Sequence, residues 1–155
     1  MAEQRYLVDL QSLIEVLAVC AITSAKVADL GNISSNAADH PIEQVRSTPV
    51  PEIYYEAAHD LIPRFVGNLK GLYWMRILGL MSLYGFQTGR NDILHHYLGQ
   101  YCAVLTMDGF DDEASWPKDY GVIDHELGRR LVKNFIHSMW LYKLMIILGL
   151  VDVFP

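Results

Sequence analysis

Between Leu7 and Ala28 the apolar and small residues recur in alternating steps of three and four: Leu7, Leu10, Ile14, Leu17, Ala21, Ser24, Ala28. That spacing lays them along one side of an α-helix. No stretch of the chain alternates with the period of two that a half-buried strand requires, so the expected fold is all-α. Gly31-Asn32 supply residues that tolerate the left-handed cap at which such a helix ends. Residues 31–51 are polar, carry three prolines and read as a mobile loop. A second helix is expected after Pro49-Val50-Pro51, with Ile53, Tyr54, Ala57, Ala58, Leu61 and Ile62 inward and Pro63 as its stop. A third, from about Leu69 to Phe86, directs Leu69, Leu72, Tyr73, Ile77, Leu80, Leu83 and Tyr84 inward. Gly71, Gly79 and Gly85 weaken it in isolation, so close packing must hold it. A fourth spans roughly Asn91 to Met107, and a last begins near Asp124 and runs toward Leu150. The expectation is one domain over residues 1–155, with five to six antiparallel helices in a compact helical-hairpin array.

Composition sharpens what such an array does. Apolar residues make up 52% of the chain and the mean hydropathy is +0.16, high for a free-standing monomer. Either the core is large or apolar surface meets a ligand, a protein partner or a second copy, which makes a homodimer an expectation. No window reaches the ~20 uncharged apolar residues of a membrane span. Glu3 and Asp9 break up the amino-terminal apolar residues, which therefore do not read as a signal peptide. A net charge of −6 with scattered basic residues argues against direct nucleic-acid binding. Cys20 and Cys102 sit within helical patterns and read as reduced core thiols, with a single buried disulfide as the alternative. An intracellular setting follows, nuclear or cytoplasmic.

The sharpest local feature is the acidic turn Asp108-Gly109-Phe110-Asp111-Asp112-Glu113, closed by Trp116-Pro117. Clustered carboxylates suit a hard cation, but this spacing fails the EF-hand loop and no second metal motif accompanies it. A structural turn is preferred, with no metal and no cofactor. Asp92, His95 and His96 lie within one helical turn, so that Asp92 and one histidine share a face, as a solvated pair or an oriented acid/base. His59-Asp60 and His125-Glu126 are weaker pairs, and His137 stands on a helix rich in Met, Trp and Tyr. Tyr73, Trp74, Tyr84, Tyr97, Tyr101, Trp140 and Tyr142 either line a pocket for a small hydrophobic ligand or fill the core. Arg129-Arg130 either clamp an anion or hold the acidic turn. No nucleophile elbow, P-loop or dinucleotide fingerprint is present.

The order of these features resembles the middle homology region of fungal zinc-cluster transcription factors. An early apolar helix (Leu13 to Ile22) precedes Tyr55-Glu56-Ala57-Ala58 with Leu61-Ile62-Pro63. Then come a helix from Met75 to Gly89, another from Leu94 to Thr106, and the Asp-Gly-Phe, Asp-Glu, Trp-Pro turn followed by Arg129-Arg130-Leu131. Where the family carries a Phe-Trp pair, this chain has either Val132-Lys133-Asn134 or, with extra residues between, His137-Ser138-Met139-Trp140, and the zinc cluster is absent from this chain. The resemblance implies a regulatory module that binds a small hydrophobic effector or a protein, nuclear when part of a regulator. It also implies a structural turn in which Asp108, Asp111, Asp112 and Glu113 cap the next segment of chain, Phe110 and Trp116 pin it, and the arginines hold an acid such as Asp111 or Asp112. The alternative is a complete, stand-alone fungal enzyme of natural-product biosynthesis, a cofactor-free cyclase or isomerase. His137 or His96 would then be the acid/base, with Tyr101, Tyr84 or Arg130 as hydrogen-bond donors.

Overall fold

The computed structural model describes the backbone of residues 2–35, 50–118 and 120–147. These form α1 (Ala2–Ser35), α2 (Pro51–Leu61), α3 (Leu72–Gln87), α4 (Asn91–Met107) and α5 (Val122–Ile147), with one-turn 3₁₀ helices at Val66–Asn68 and Glu113–Ser115. No strand occurs among the described residues, and the fold is all-α. Among the described residues no helix is long and apolar enough to cross a membrane.

α3 is the organising element, because it packs against α1 and α4 and more lightly against α5. It buries about half its circumference: Trp74, Met75, Ile77, Leu78, Met81, Tyr84 and Gly85 are all covered. Tyr73 and Leu83, expected inward, lie beyond the edges of that arc and are 46% and 41% exposed. Neighbours on two sides shift the buried arc away from the single stripe that a spacing rule assumes. Gly71 stands outside α3, as its N-terminal flanking residue.

The core line of α1 is also displaced. Ile14, Ala18, Ala21, Ile22 and Ala25 are buried, whereas Leu10, Leu17 and Ser24 are half-buried and Ala28 is exposed. Alanines set this line because α2 and α3 both pack on α1, and small side chains let helix axes approach. An ion pair from Arg76 to Glu15 ties α3 to α1 at the rim. α1 runs through Gly31-Asn32 to Ser35 rather than ending there. A mid-helix glycine costs only about 1 kcal/mol, too little by itself to stop an established helix. Residues 36–49 of the expected loop lie outside the described residues.

The remaining boundaries follow local chemistry. α2 begins at Pro51, whose missing N–H costs nothing at a first helical position, and ends at Leu61 as Ile62 turns extended before Pro63. Ile53, expected inward, is 58% exposed, while Ala58 and Ile62 are buried. α3 and α4 end alike. Gly89 (φ 67°) and Gly109 (φ 69°) take the left-handed conformation that disfavours any side chain. The next N–H bonds five residues back, Arg90 to Gly85 O at 2.9 Å and Phe110 to Leu105 O at 2.9 Å. Both are Schellman closures, which fix where the chain leaves each helix. α5 starts two residues ahead of Asp124, and its expected last turn at Leu150 lies outside the described residues.

Candidate functional sites: the acidic turn and a Tyr-His cluster

The acidic turn is knit into the fold through three of its four acidic side chains. Asp108 Oδ2 accepts the Gly71 N–H at 2.6 Å and so anchors the start of α3 to the end of α4. Asp112 Oδ1 accepts the Ala114 N–H at 3.0 Å and caps the 3₁₀ turn. Phe110 and Trp116 are buried edge to face at 5.9 Å, and Trp116 Nε1–H donates to Phe110 O at 3.2 Å. The indole stacks on His125 at 5.5 Å and covers Gly128, where a Cβ would lie 2.7 Å from the ring. Phe110 in turn stacks on Tyr120 at 6.3 Å.

Arg129 holds this turn, but through Glu113, with Nε donating to Glu113 Oε1 at 2.8 Å. The expected partners Asp111 and Asp112 are corrected accordingly: Asp112 is spent on its cap and Asp111 is exposed. Arg130 pairs with Glu126 of its own helix at 2.8 Å, one turn back, and does not reach the turn through that bond. Among the described residues no group of three or more His, Cys, Asp or Glu is arranged to hold a metal ion.

The hydrogen bond from Arg129 pulls the Glu113 carboxyl below its ordinary value of 4.5. The pair therefore stabilises the fold above that pH, and its contribution disappears as pH falls through the lowered value. Thermal melts between about pH 6 and pH 3 are expected to show a steeper loss of stability for the wild type than for Glu113→Gln. Equal slopes would mean that the pair contributes nothing.

A second cluster joins α2, α3 and α4. Tyr55 and His59, four residues apart on α2, share a face, with rings stacked at 5.9 Å. Tyr55 stacks on Tyr84 of α3 at 4.9 Å and meets Tyr97 of α4 edge-on at 6.5 Å. His59 Nδ1 and Tyr97 Oη lie 2.6 Å apart in a hydrogen bond. His96 stands edge-on to Tyr97 at 5.0 Å and to His59 at 6.4 Å, with Gln100 3.2 Å from its Nε2. Arg90 caps the group, its guanidinium 5.9 Å from the centre of the Tyr55 ring.

Burial pushes the Tyr97, Tyr84 and Tyr55 hydroxyls above the ordinary tyrosine range, so all three stay protonated donors at neutral pH. The Tyr84 hydroxyl is buried with no hydrogen-bond partner among the described residues. Orphaning a hydroxyl costs about 1–3 kcal/mol. Tyr84→Phe is therefore expected to stabilise the free protein by about 1 kcal/mol, read as a rise of a few degrees in Tm.

The other sequence candidates scatter. Trp74 fills the core. Tyr101 is buried, its ring passing Gly79 on α3, and burial raises its hydroxyl too. Tyr73 is exposed on the outer side of α3, and His137 is exposed on α5. The side chains of Trp140 and Tyr142 lie outside the described residues. Asp92 is bound by Arg90 at 3.1 Å, a hydrogen bond that lowers its carboxyl, while His96 meets Gln100 and Tyr97. Cys20 and Cys102 are free thiols, half-buried rather than core. Sequence reasoning did not pair Tyr55 with His59. Their spacing of four, just ahead of the Pro63 stop, is the signal that places both on one face of α2.

No family model, curated protein or solved structure matches this chain.

Proposed function

We propose that this chain is a non-catalytic regulatory module built on the scaffold of the middle region of fungal zinc-cluster regulators. It binds a small hydrophobic effector or a protein partner, and contacts DNA only through a separate element. The observation that carries this reading is the use of the acidic turn. Asp108, Asp112 and Glu113 are each engaged by Gly71, Ala114 and Arg129, as in a turn that builds a scaffold rather than holds a metal or a substrate. Two further features support it. The candidate pocket aromatics Trp74, Tyr84, Tyr97 and Tyr101 pack into the core. Large apolar side chains such as Leu30, Phe65, Phe86 and Ile123 stand on the surface, where a partner covers them.

The test is a tethering assay. Fused to an unrelated DNA-binding domain in a fungal host, the chain is expected to change reporter output several-fold relative to that domain alone. Trp116→Ala should abolish the change. Unchanged output from a fusion that accumulates normally would overturn the reading.

A second reading, a cofactor-free cyclase or isomerase, is favoured by the 2.6 Å His59–Tyr97 contact, in which a protonated phenol orients an imidazole, the side chain most used in acid/base catalysis. Native mass spectrometry of protein purified from a fungal host separates the two. A retained hydrophobic compound that keeps its mass on incubation supports the sensor, and one converted to a new mass supports the enzyme.

A further inference from the structure

α1 carries a second apolar line on its solvent side. Leu13, Val16, Cys20, Thr23, Val27 and Leu30 follow steps of three and four, the spacing of a coiled-coil seam. Leu13, Val16, Val27 and Leu30 are 49%, 58%, 46% and 66% exposed, and Val19 flanks the line, also exposed. Thr23 does not break it, because its hydroxyl is satisfied within the helix by the carbonyls of Val19 (2.9 Å) and Cys20 (3.1 Å). Only its methyl is left to pack outward.

The line reads the same from either end: Leu, Val, a small residue, a small residue, Val, Leu. A two-fold axis through its midpoint, between Ala21 and Ile22, sets Leu13 against the partner's Leu30, Val16 against the partner's Val27 and Cys20 against the partner's Thr23. That is the layer pattern of an antiparallel helix pair, and self-complementarity of this kind is what an isologous interface requires. Charge agrees. The protein carries −6 overall, yet the one charged side chain flanking the seam is Lys26. The two-fold sets Lys26 beside the partner's Val19, which its aliphatic stem covers, and about 13 Å along the axis from the partner's Lys26. Of the two acids that adjoin seam residues in sequence, Glu15 is engaged by Arg76 of its own chain, and exposed Asp29 stands three residues beyond Lys26 on the same helix. Antiparallel macrodipoles also attract where parallel ones repel.

We propose that a second copy of this chain docks on this seam, forming a two-fold dimer through antiparallel α1 helices. The seam uses no residue of the acidic turn or the Tyr-His cluster, and of the exposed apolar residues assigned above to a partner it takes Leu30 alone. Leu13 to Leu30 spans about 25 Å, a smaller contact than a standard interface of ~800 Å² per partner, so the dimer is expected to form reversibly with concentration.

Sedimentation velocity across about 1–300 µM is expected to show a monomer passing to a dimer, with Val16→Glu staying monomeric at every concentration. Val16 is exposed, so this variant keeps the wild-type circular dichroism melt, which separates lost association from lost folding. Cross-linking then tests the direction. With both native cysteines replaced by serine, Val16→Cys combined with Val27→Cys is expected to form disulfide-linked dimers, and neither single cysteine variant does. A wild type that is monomeric throughout, a Val16→Glu variant that associates normally, or cross-links from Val16→Cys alone would each overturn the proposal.

Discussion

Trp116→Ala is expected to destabilise the domain by about 3–5 kcal/mol, the range for removing a buried tryptophan, and to lower Tm by roughly 10–20 °C. The residue sits in a connection between helices, and truncation at an exposed surface position ordinarily costs within about half a kcal/mol. Its environment argues otherwise. The ring is 5% exposed and packs on Phe110, His125 and Gly128, and its N–H satisfies the Phe110 carbonyl. Losing it opens a cavity and leaves that carbonyl unpaired. Trp116→Phe keeps much of the packing and loses the hydrogen bond, so it should fall between, at about 1–2 kcal/mol. Gly128 supplies an internal check. Gly128→Ala drives a methyl into the indole and is expected to cost about 1–3 kcal/mol alone, yet little in a Trp116→Ala background. Urea unfolding of the two single variants and the double should therefore show strong non-additivity. Additive effects would place the indole away from α5 and remove the turn from the fold's support.

That turn also marks how far the sequence could be read. Its composition and order announce a structural element, and the capping role of Asp112 with Phe110 and Trp116 as anchors is found. The identity of the arginine's acid is not legible, because Asp111, Asp112 and Glu113 differ only in reach and in which is already spent on the backbone. The all-α class and the bounds of α4 were legible, since periodicity and glycine closures are local signals. The buried faces of α1 and α3 were not. A helix with neighbours on two sides buries an arc set by those neighbours, and the alanines that set the closest approach of α1 carry little weight in an apolar pattern. The Tyr-His cluster was missed for a related reason. It assembles from three helices, and Tyr55 and His59 become informative only once Tyr84 and Tyr97 are placed against them.

Two glycines six residues apart on α3 are expected to respond to the same substitution with opposite signs. Gly79→Ala adds a Cβ 3.6 Å from the Tyr101 ring, an ordinary contact, so the helix-propensity gain of up to about 1 kcal/mol is free to appear as added stability. Gly85→Ala adds a Cβ 2.5 Å from the Leu94 backbone nitrogen and 3.0 Å from Leu94 Cα and Ile93 Cγ2. No rotamer relieves that clash, because the nearest atoms are main chain. The first turn of α4 must move off α3, or α3 must bend, and either breaks the packing around Ile93 and Tyr97. Overpacking of this kind costs about 1–3 kcal/mol, and rigid backbone on the receiving side places it at the upper end even after the propensity gain. The movement also strains the Arg90 N–H to Gly85 carbonyl bond of 2.9 Å that closes α3 and aims the chain into α4. Denaturant unfolding of Gly85→Ala is expected to give a midpoint well below wild type with an unchanged slope, and Gly79→Ala a midpoint at or above it. A neutral Gly85→Ala would mean that α3 and α4 lie further apart than their contact at Gly85 and Leu94 requires. The Tyr-His cluster, which draws Tyr84 and Tyr97 from the same two helices, would then lose its fixed geometry as well.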